Sequence, residues 1–335
     1  MQAQRRLDGI EDPFALYGPP QGSDGGARKL RKFRLETIET VPDGIKRIAI
    51  IQIDRAVDRL SLENGDRDES IHDARVCAKK IRAILRLVRG EIGRKVFKRE
   101  NLRFRDAARR LSHVRDTAAM VEALDKLRDR YLDDSSSADL DKVRGLFIQK
   151  EKKEQGEKVA AMSEASDFFL NSREMVAGWP IEQDDFSAIK RGLRLTYKQG
   201  RKALRIAYSK PGAAKFHEWR KQVKWLWYQV KILRETWPKM LRELANEIGG
   251  LADNLSDEHD LALLSEALLG LPASGADSRA LELALSLIAR ARIDARAAAE
   301  VSGRRIYAEK PGLFVERFAK YWKSTHAADS GRSVT

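Results

Sequence analysis

From Pro42 onward, apolar and polar positions follow one another with the period of an α-helix. Ile45, Ile48, Ala49, Ile53, Ala56, Val57 and Leu60 recur at helical spacing, which places them on one face. Asn64-Gly65-Asp66 breaks the pattern. Ser70 and Asp73 then predict a capping-box-like start for a second helix, and Gly90 its end. Helical patterns continue at 95–132 and 140–175, either side of the polar linker 133–137, and Trp179-Pro180 marks a boundary. They resume at 186–208, 213–236, 239–270, 277–301 and 312–325. Alternating β-branched runs are scarce, so the predicted fold class is all-α. The breaker-rich stretch 18–26 predicts a flexible tail over 1–41, followed by a folded domain over 42–327 and a disordered tail over 328–335. Arg28, Lys29, Arg31, Lys32 and Arg34 add a basic cluster to the first tail.

The stretch Ile71–Val88 is unusual. At about 100° per residue, His72, Arg75, Lys79, Arg82 and Arg86 fall in one strip spanning less than about a quarter of the circumference. Nearly all other positions are apolar, with Asp73 and Lys80 on a second polar line. A helix apolar almost all round is normally buried. Its basic strip should therefore lie inside the assembly, where cations need anionic partners.

The stretch repeats. Phe216–Lys231 matches it 145 residues later, pairing His72 with His217, Arg75 with Arg220, Lys79 with Lys224, Arg86 with Lys231 and Asp73 with Glu218. Trp227 stands where Arg82 stood. A second pair keeps nearly the same offset: Leu111-Ser112-His113-Val114-Arg115-Asp116 ends 44 residues after His72, and Leu255-Ser256-Asp257-Glu258-His259-Asp260 ends 43 after His217. Two related multi-helix units are predicted, over about 42–178 and 184–327, packed about a pseudo-two-fold axis with both basic strips facing a shared channel.

Composition narrows the chemistry. Lys and Arg number 64 against 50 acids, a net charge of +14 that favours a polyanionic partner. The single cysteine, Cys77, excludes an internal disulfide and a multi-cysteine zinc site, and its place on the apolar side makes it a core residue. No apolar run reaches the length of a membrane span, and the N-terminus lacks a signal peptide's apolar centre, so cytoplasmic residence is expected.

These residues resemble the conserved histidine α-helical domain, or CHAD. His72, Arg75, Lys79, Lys80 and Arg82 match the family's His-x-x-Arg-x-x-x-(Lys/Arg)-(Lys/Arg)-x-Arg helix. His217, Arg220, Lys221, Lys224 and Tyr228 match its second-half helix, in which Trp227 replaces the usual Arg and Lys231 stands where an acid is common. Arg115-Asp116 and His259-Asp260 are similar to the family's Arg-Asp and related positions, and Tyr197-x-x-Gly200-Arg201 to the signature opening the second half. The resemblance covers roughly residues 43–327. It implies two four-helix bundles around a basic channel that binds inorganic polyphosphate without catalysis, often with association to polyphosphate granules. Glu36 and Glu39 lack the alternating spacing of the hydrolase or cyclase-like domain sometimes fused upstream, which suggests a stand-alone domain.

The chemistry suits a linear phosphate polymer. Cations at i, i+3, i+7, i+10 and i+14 stand about 5 Å apart along a helix axis, and Arg grips phosphate bidentately where Lys acts as a point charge. His72 and His217 are expected at helix N-termini, where backbone amides also favour anions. The run Lys190, Arg191, Arg194, Lys198, Arg201, Lys202 and Arg205 fits either a solvated face or a binding surface, with Tyr197 and Arg201 at its apolar margin. Trp219, Trp225, Trp227 and Trp237 fit packing or base stacking, which keeps nucleic acid as a competing polyanion. A metal-dependent phosphohydrolase, prompted by His72-Asp73 and His259-Asp260, is disfavoured: adjacent helical residues point about 100° apart, and basic neighbours repel a divalent cation. The sequence implies no cofactor and no metal, and leaves the oligomeric state open.

Overall fold

Every regular element among the described residues is a helix. The computed structural model of the protein describes residues 33–62, 66–113, 116–131, 138–153, 155–271 and 277–332. α1 (Val41–Leu60) starts where Thr40 Oγ1 accepts the Asp43 amide at 3.1 Å, with Pro42 in the first turn. α2 (Arg67–Leu87) begins earlier than Ser70 and Asp73 predict, because Asp66 accepts the amides of Asp68 and Glu69 at 2.8 and 3.3 Å. Asp73 is drawn sideways instead, into ion pairs with Arg59 (2.9 Å) and Arg55 (3.5 Å) of α1. Gly93, at φ 73°, turns the chain into α3 (Gly93–His113), a backbone conformation that favours glycine. Then follow α4 (Asp116–Tyr131), α5 (Ala138–Lys153), α6 (Gln155–Ala177), α7 (Ser187–Ser209), α8 (Ala213–Ile232), α9 (Pro238–Leu269), α10 (Ser278–Ile306) and α11 (Pro311–Arg332).

The helix pairings of the two repeats run in parallel. α2 packs between α1 and α3, with α6 against both; α8 packs between α7 and α9, with α10 along α9 and α11 returning onto α7. The repeats share one apolar cluster, running from Ile48 of α1 through Ile81 of α2 and Leu193 of α7 to Val223 of α8 and Leu251 of α9. α2 is buried on nearly every apolar side, as its pattern predicts. It meets α8 at Ala83, Trp225 and Tyr228, where the fully buried Gln229 donates Nε2–H to the Ala83 carbonyl at 3.2 Å. A second cluster joins α4 and α5 of the first repeat to α9 and α10 of the second, through Leu124, Leu127 and Phe147 against Leu264, Leu268 and Ile288.

Two boundaries move. Residues 33–40, expected within the tail, are packed: Leu35 is buried and its amide donates to the Ile232 carbonyl at 2.9 Å. Phe33 sits edge-on to Tyr228, and Arg34 pairs with Glu235 at 2.6 Å. The packing of Phe33 and burial of Leu35 outweigh the charge of Arg34 between them. At the other end α11 continues past residue 327 to Arg332. The tail cluster Arg28, Lys29, Arg31 and Lys32 lies outside the described residues, as does Arg115.

A close backbone approach joins α7 to the end of α2. A Cβ on Gly192 of α7 would overlap the Arg86 and Leu87 carbonyl oxygens at the end of α2. Gly192→Ala should therefore cost at least about 1–3 kcal/mol by urea denaturation. Gly90→Ala, whose Cβ would stand 3.4 Å from the Arg191 side chain, should be close to neutral.

Candidate functional site

The two strips are half-buried along their whole length. On α2, His72, Arg75, Lys79, Arg82 and Arg86 are each partly exposed among mostly buried neighbours, and on α8 His217, Arg220, Lys224, Trp227 and Lys231 are likewise partly exposed. α9 brings them together. His259 of α9 feels the charges of His217 and Arg220 from α8 and of Lys79 and Arg75 from α2, and Asp260 feels those of Arg220 and Lys79. Each repeat also carries one local feature in register: Ser112 Oγ donates to the Ala108 carbonyl at 2.9 Å, and Ser256 Oγ to Ala252 at 2.7 Å. Ser256 additionally accepts from Arg220 Nε at 3.0 Å, which aims that guanidinium.

Burial makes these cations costly. Arg82 and Arg86 share a neutral acceptor, Asn101 Oδ1, at 3.2 and 2.7 Å, and neither forms an ion pair among the described residues. Burial pulls Arg82 down to about 10, and burial with the charges of Arg82 and Arg89 pulls Arg86 to about 9. Guanidinium stays protonated at neutral pH, so the shift expresses how poorly the site solvates its charge. Arg86 also lies over the Trp225 ring, 3.4 Å from its centroid, at the edge of a cleft of about 630 Å³. On α8, burial and the Arg220 charge pull Lys224 down to about 8, although Asp253 lies 3.9 Å away. That carboxylate is mostly exposed, so water screens what it offers.

The histidines differ from their expected roles. His217 and His259 face each other, Nδ1 to Nδ1 at 3.2 Å with ring centroids 4.2 Å apart. Burial first, then Lys221 and Arg220, lowers His217; burial, His217 and Arg220 push His259 down to about 3. Both rings are neutral at pH 7, one donating N–H to the other. Helix N-termini do not explain them either. His72 is in the second turn of α2 and His217 follows Gly212, Lys215 and Phe216 into α8, beyond the four unbonded amides.

Other expected site residues lie elsewhere. Tyr197 is fully buried, donates its hydroxyl to the Ile306 carbonyl at 2.9 Å and stacks on Phe314 at 3.9 Å, so it serves packing. Arg201 Nε donates to the Tyr307 carbonyl at 3.1 Å, on the outer side of α7. Lys80 is buried with its ammonium 5.1 Å over the Phe33 ring, and Lys221 is tied to Glu218. Tyr228 is buried at the α2–α8 junction. Lys224 and Lys231 flank Trp227, at 5.5 and 4.9 Å from its ring, so the tryptophan separates two ammonium groups where an Arg would have added a third charge. Sequence reasoning missed Asn101 and the acidic face of α9. Asp253, Asp257 and Asp260, at helical spacing around Ser256, were the available signal. Among the described residues, no three His, Cys, Asp or Glu side chains gather as a metal site.

Lys224 allows a pH test. Folded, it releases its proton near pH 8; unfolded, it holds it to its ordinary 10.5. Between those values the unfolded chain binds more protons, so stability rises with pH. The penalty is fully present below pH 8. Lys224→Met, which keeps the aliphatic stem, should exceed the wild type in urea midpoint by most at pH 7, with the gap shrinking towards pH 10. A gap independent of pH would show that the lysine titrates alike in both states.

The family model of the CHAD domain matches residues 49–269. The fold is similar to the crystal structure of the CHAD domain from the plant Ricinus communis, with a TM-score of 0.61 and 14% identity, covering 82% of this chain and 94% of that one. At that identity the likeness concerns the fold alone. No curated protein sequence matches the chain. No described helix is long and apolar enough to cross a membrane. Two related basic helices, an all-helical fold and a family model spanning more than half of the chain lead to one assignment: the chain belongs to the CHAD domain family.

Proposed function

We propose that this protein binds inorganic polyphosphate along its two half-buried basic strips, without catalysis, and that binding holds it in the cytoplasm at polyphosphate granules. The CHAD family is associated with polyphosphate binding in general. The observation that carries the reading is the pair Arg82 and Arg86, half-buried guanidiniums whose hydrogen-bond acceptors among the described residues are the neutral Asn101 amide and a backbone carbonyl. A bound phosphate chain supplies the missing anions at the spacing of the helical turn. Partial burial makes those contacts stronger than on an open surface.

Nucleic acid is the weaker reading because its bases need open aromatic faces. Trp225 is covered by Arg86, Trp227 lies between Lys224 and Lys231, Trp219 is buried, and the one exposed member, Trp237, stands edge-on to Tyr321 at the start of α9. The phosphohydrolase reading needs a metal or a general base. His217 and His259 spend a ring nitrogen on each other, and burial with the charges of Arg220, Lys79 and Arg75 lowers the basicity of His259 and opposes a divalent cation there.

Arg75→Glu with Lys79→Glu, or Arg220→Glu with Lys224→Glu, should weaken long-chain polyphosphate binding by roughly 100-fold or more, since each charged hydrogen bond contributes about 1.5–3 kcal/mol. Circular dichroism should show unchanged helicity. Unchanged affinity in both folded variants would sink the assignment. Competition at two salt concentrations separates the polyanions: RNA displacing polyphosphate at equal phosphate would favour nucleic acid, and both affinities should fall steeply with salt.

A further inference from the structure

α7 is the most one-sided helix of the protein. Ser187–Ser209 carries seven Lys or Arg residues, from Lys190 to Arg205, and no acid. Lys190 with Arg194, Arg194 with Lys198, Lys198 with Lys202 and Arg201 with Arg205 are like charges at i, i+4, a spacing that destabilises a helix. Lys198, Lys202 and Arg205 make no ion pair among the described residues. The helix holds because Ile189, Leu193, Tyr197 and Ala207 are buried on its other face. A solvated structural face would intersperse acids. This one does not.

The charges border a groove. Between α7 and the turn from α10 to α11 lies a depression of about 860 Å³, with Lys198, Arg201, Lys202 and Arg205 on one wall and Arg304 on the other. No carboxylate lines it, and its floor includes Leu204 and Tyr307. Two of the cations are fixed: Arg201 by the Tyr307 carbonyl at 3.1 Å and Arg304 by Glu300 at 2.6 Å. Lys202 also lines the cleft holding Arg86, Arg89 and Lys215. Lys202 therefore stands between the groove and the cleft at the C-terminal end of the α2 strip, which Glu218 also lines.

We propose that this outer groove is a second polyphosphate track, continuous with the α2 strip through Lys202, over which a long chain passes after leaving Arg82 and Arg86. The inference rests on the polyphosphate reading of the central strips. A polymer held at the strips reaches the groove at high effective concentration, so chains long enough to span both bind more tightly. Short chains fill the strips alone. The groove thus sets chain-length preference.

The test compares the wild type with Lys198→Glu/Arg205→Glu, neither residue lining the Arg86 cleft. The changes place opposite charges opposite Lys202 and Arg201, so helicity should hold, and circular dichroism checks it. Each protein is titrated with short-chain and long-chain polyphosphate at equal total phosphate. The wild type should favour the long chain by roughly 10-fold or more, and the variant should lose that preference while keeping its short-chain affinity. A long-chain preference that survives in the folded variant overturns the groove and leaves the central reading standing. A wild type that binds neither chain overturns the central reading and the groove with it. A single-stranded oligonucleotide weakened by the double substitution, with polyphosphate unaffected, would make the groove a nucleic-acid surface and likewise overturn the inference.

Discussion

Two guanidiniums half-removed from water and held by neutral acceptors, those of Arg82 and Arg86, are the constraint on which this structure turns. Protein interiors ordinarily pair such groups, because an isolated charge is expensive there. Here α2 and α8 are apolar enough to be buried and basic enough to resist it. Their shared core fixes the strips at the boundary between the two environments. Neutral groups then orient the charges without cancelling them: Asn101 for Arg82 and Arg86, Ser256 for Arg220, Trp227 between two lysines. An arrangement of this kind is pre-organised for an anion, since little side-chain order remains to be acquired on binding.

The repeats solve the same problem with different residues. Asp73 is buried and pins α2 to α1 through Arg59 and Arg55. Its counterpart Glu218 is exposed and bonds along its own helix to Gln222. The second repeat places a buried carboxylate on α9 instead, where Glu258 takes Arg292 and Arg296 at 3.0 and 2.6 Å. Each repeat thus has an internal ion cluster away from the strip. Among the described residues, α9 sets Asp253, Asp257 and Asp260 beside Lys224 of the second strip, and Asp260 also feels Lys79 of the first.

Much of this was legible in the sequence. Helical periodicity identified the helical segments, and the basic strip on an apolar helix correctly implied half-burial. The motifs pointed to the family. What escaped depends on contacts distant in the chain. Nothing local to Phe33 and Leu35 says that they cover the end of α8. Asp73, expected in the first turn of α2, is instead held by Arg59 of α1. Tyr197 and Arg201 carry a family-like signature of their own but belong to the packing of α7 on the turn before α11. The histidine pair could not be read from two positions 42 residues apart.

The two repeats are also inseparable. Leu124, Leu127 and Phe147 find their apolar cover on α9 and α10, and Leu35 hydrogen-bonds across to Ile232. Divided between Trp179 and Ser187, the chain would yield two fragments, each baring a face that fits the other. Neither would be a domain in its own right. Sequence duplication here describes a pair of complementary halves, obligate partners that happen to share a peptide backbone.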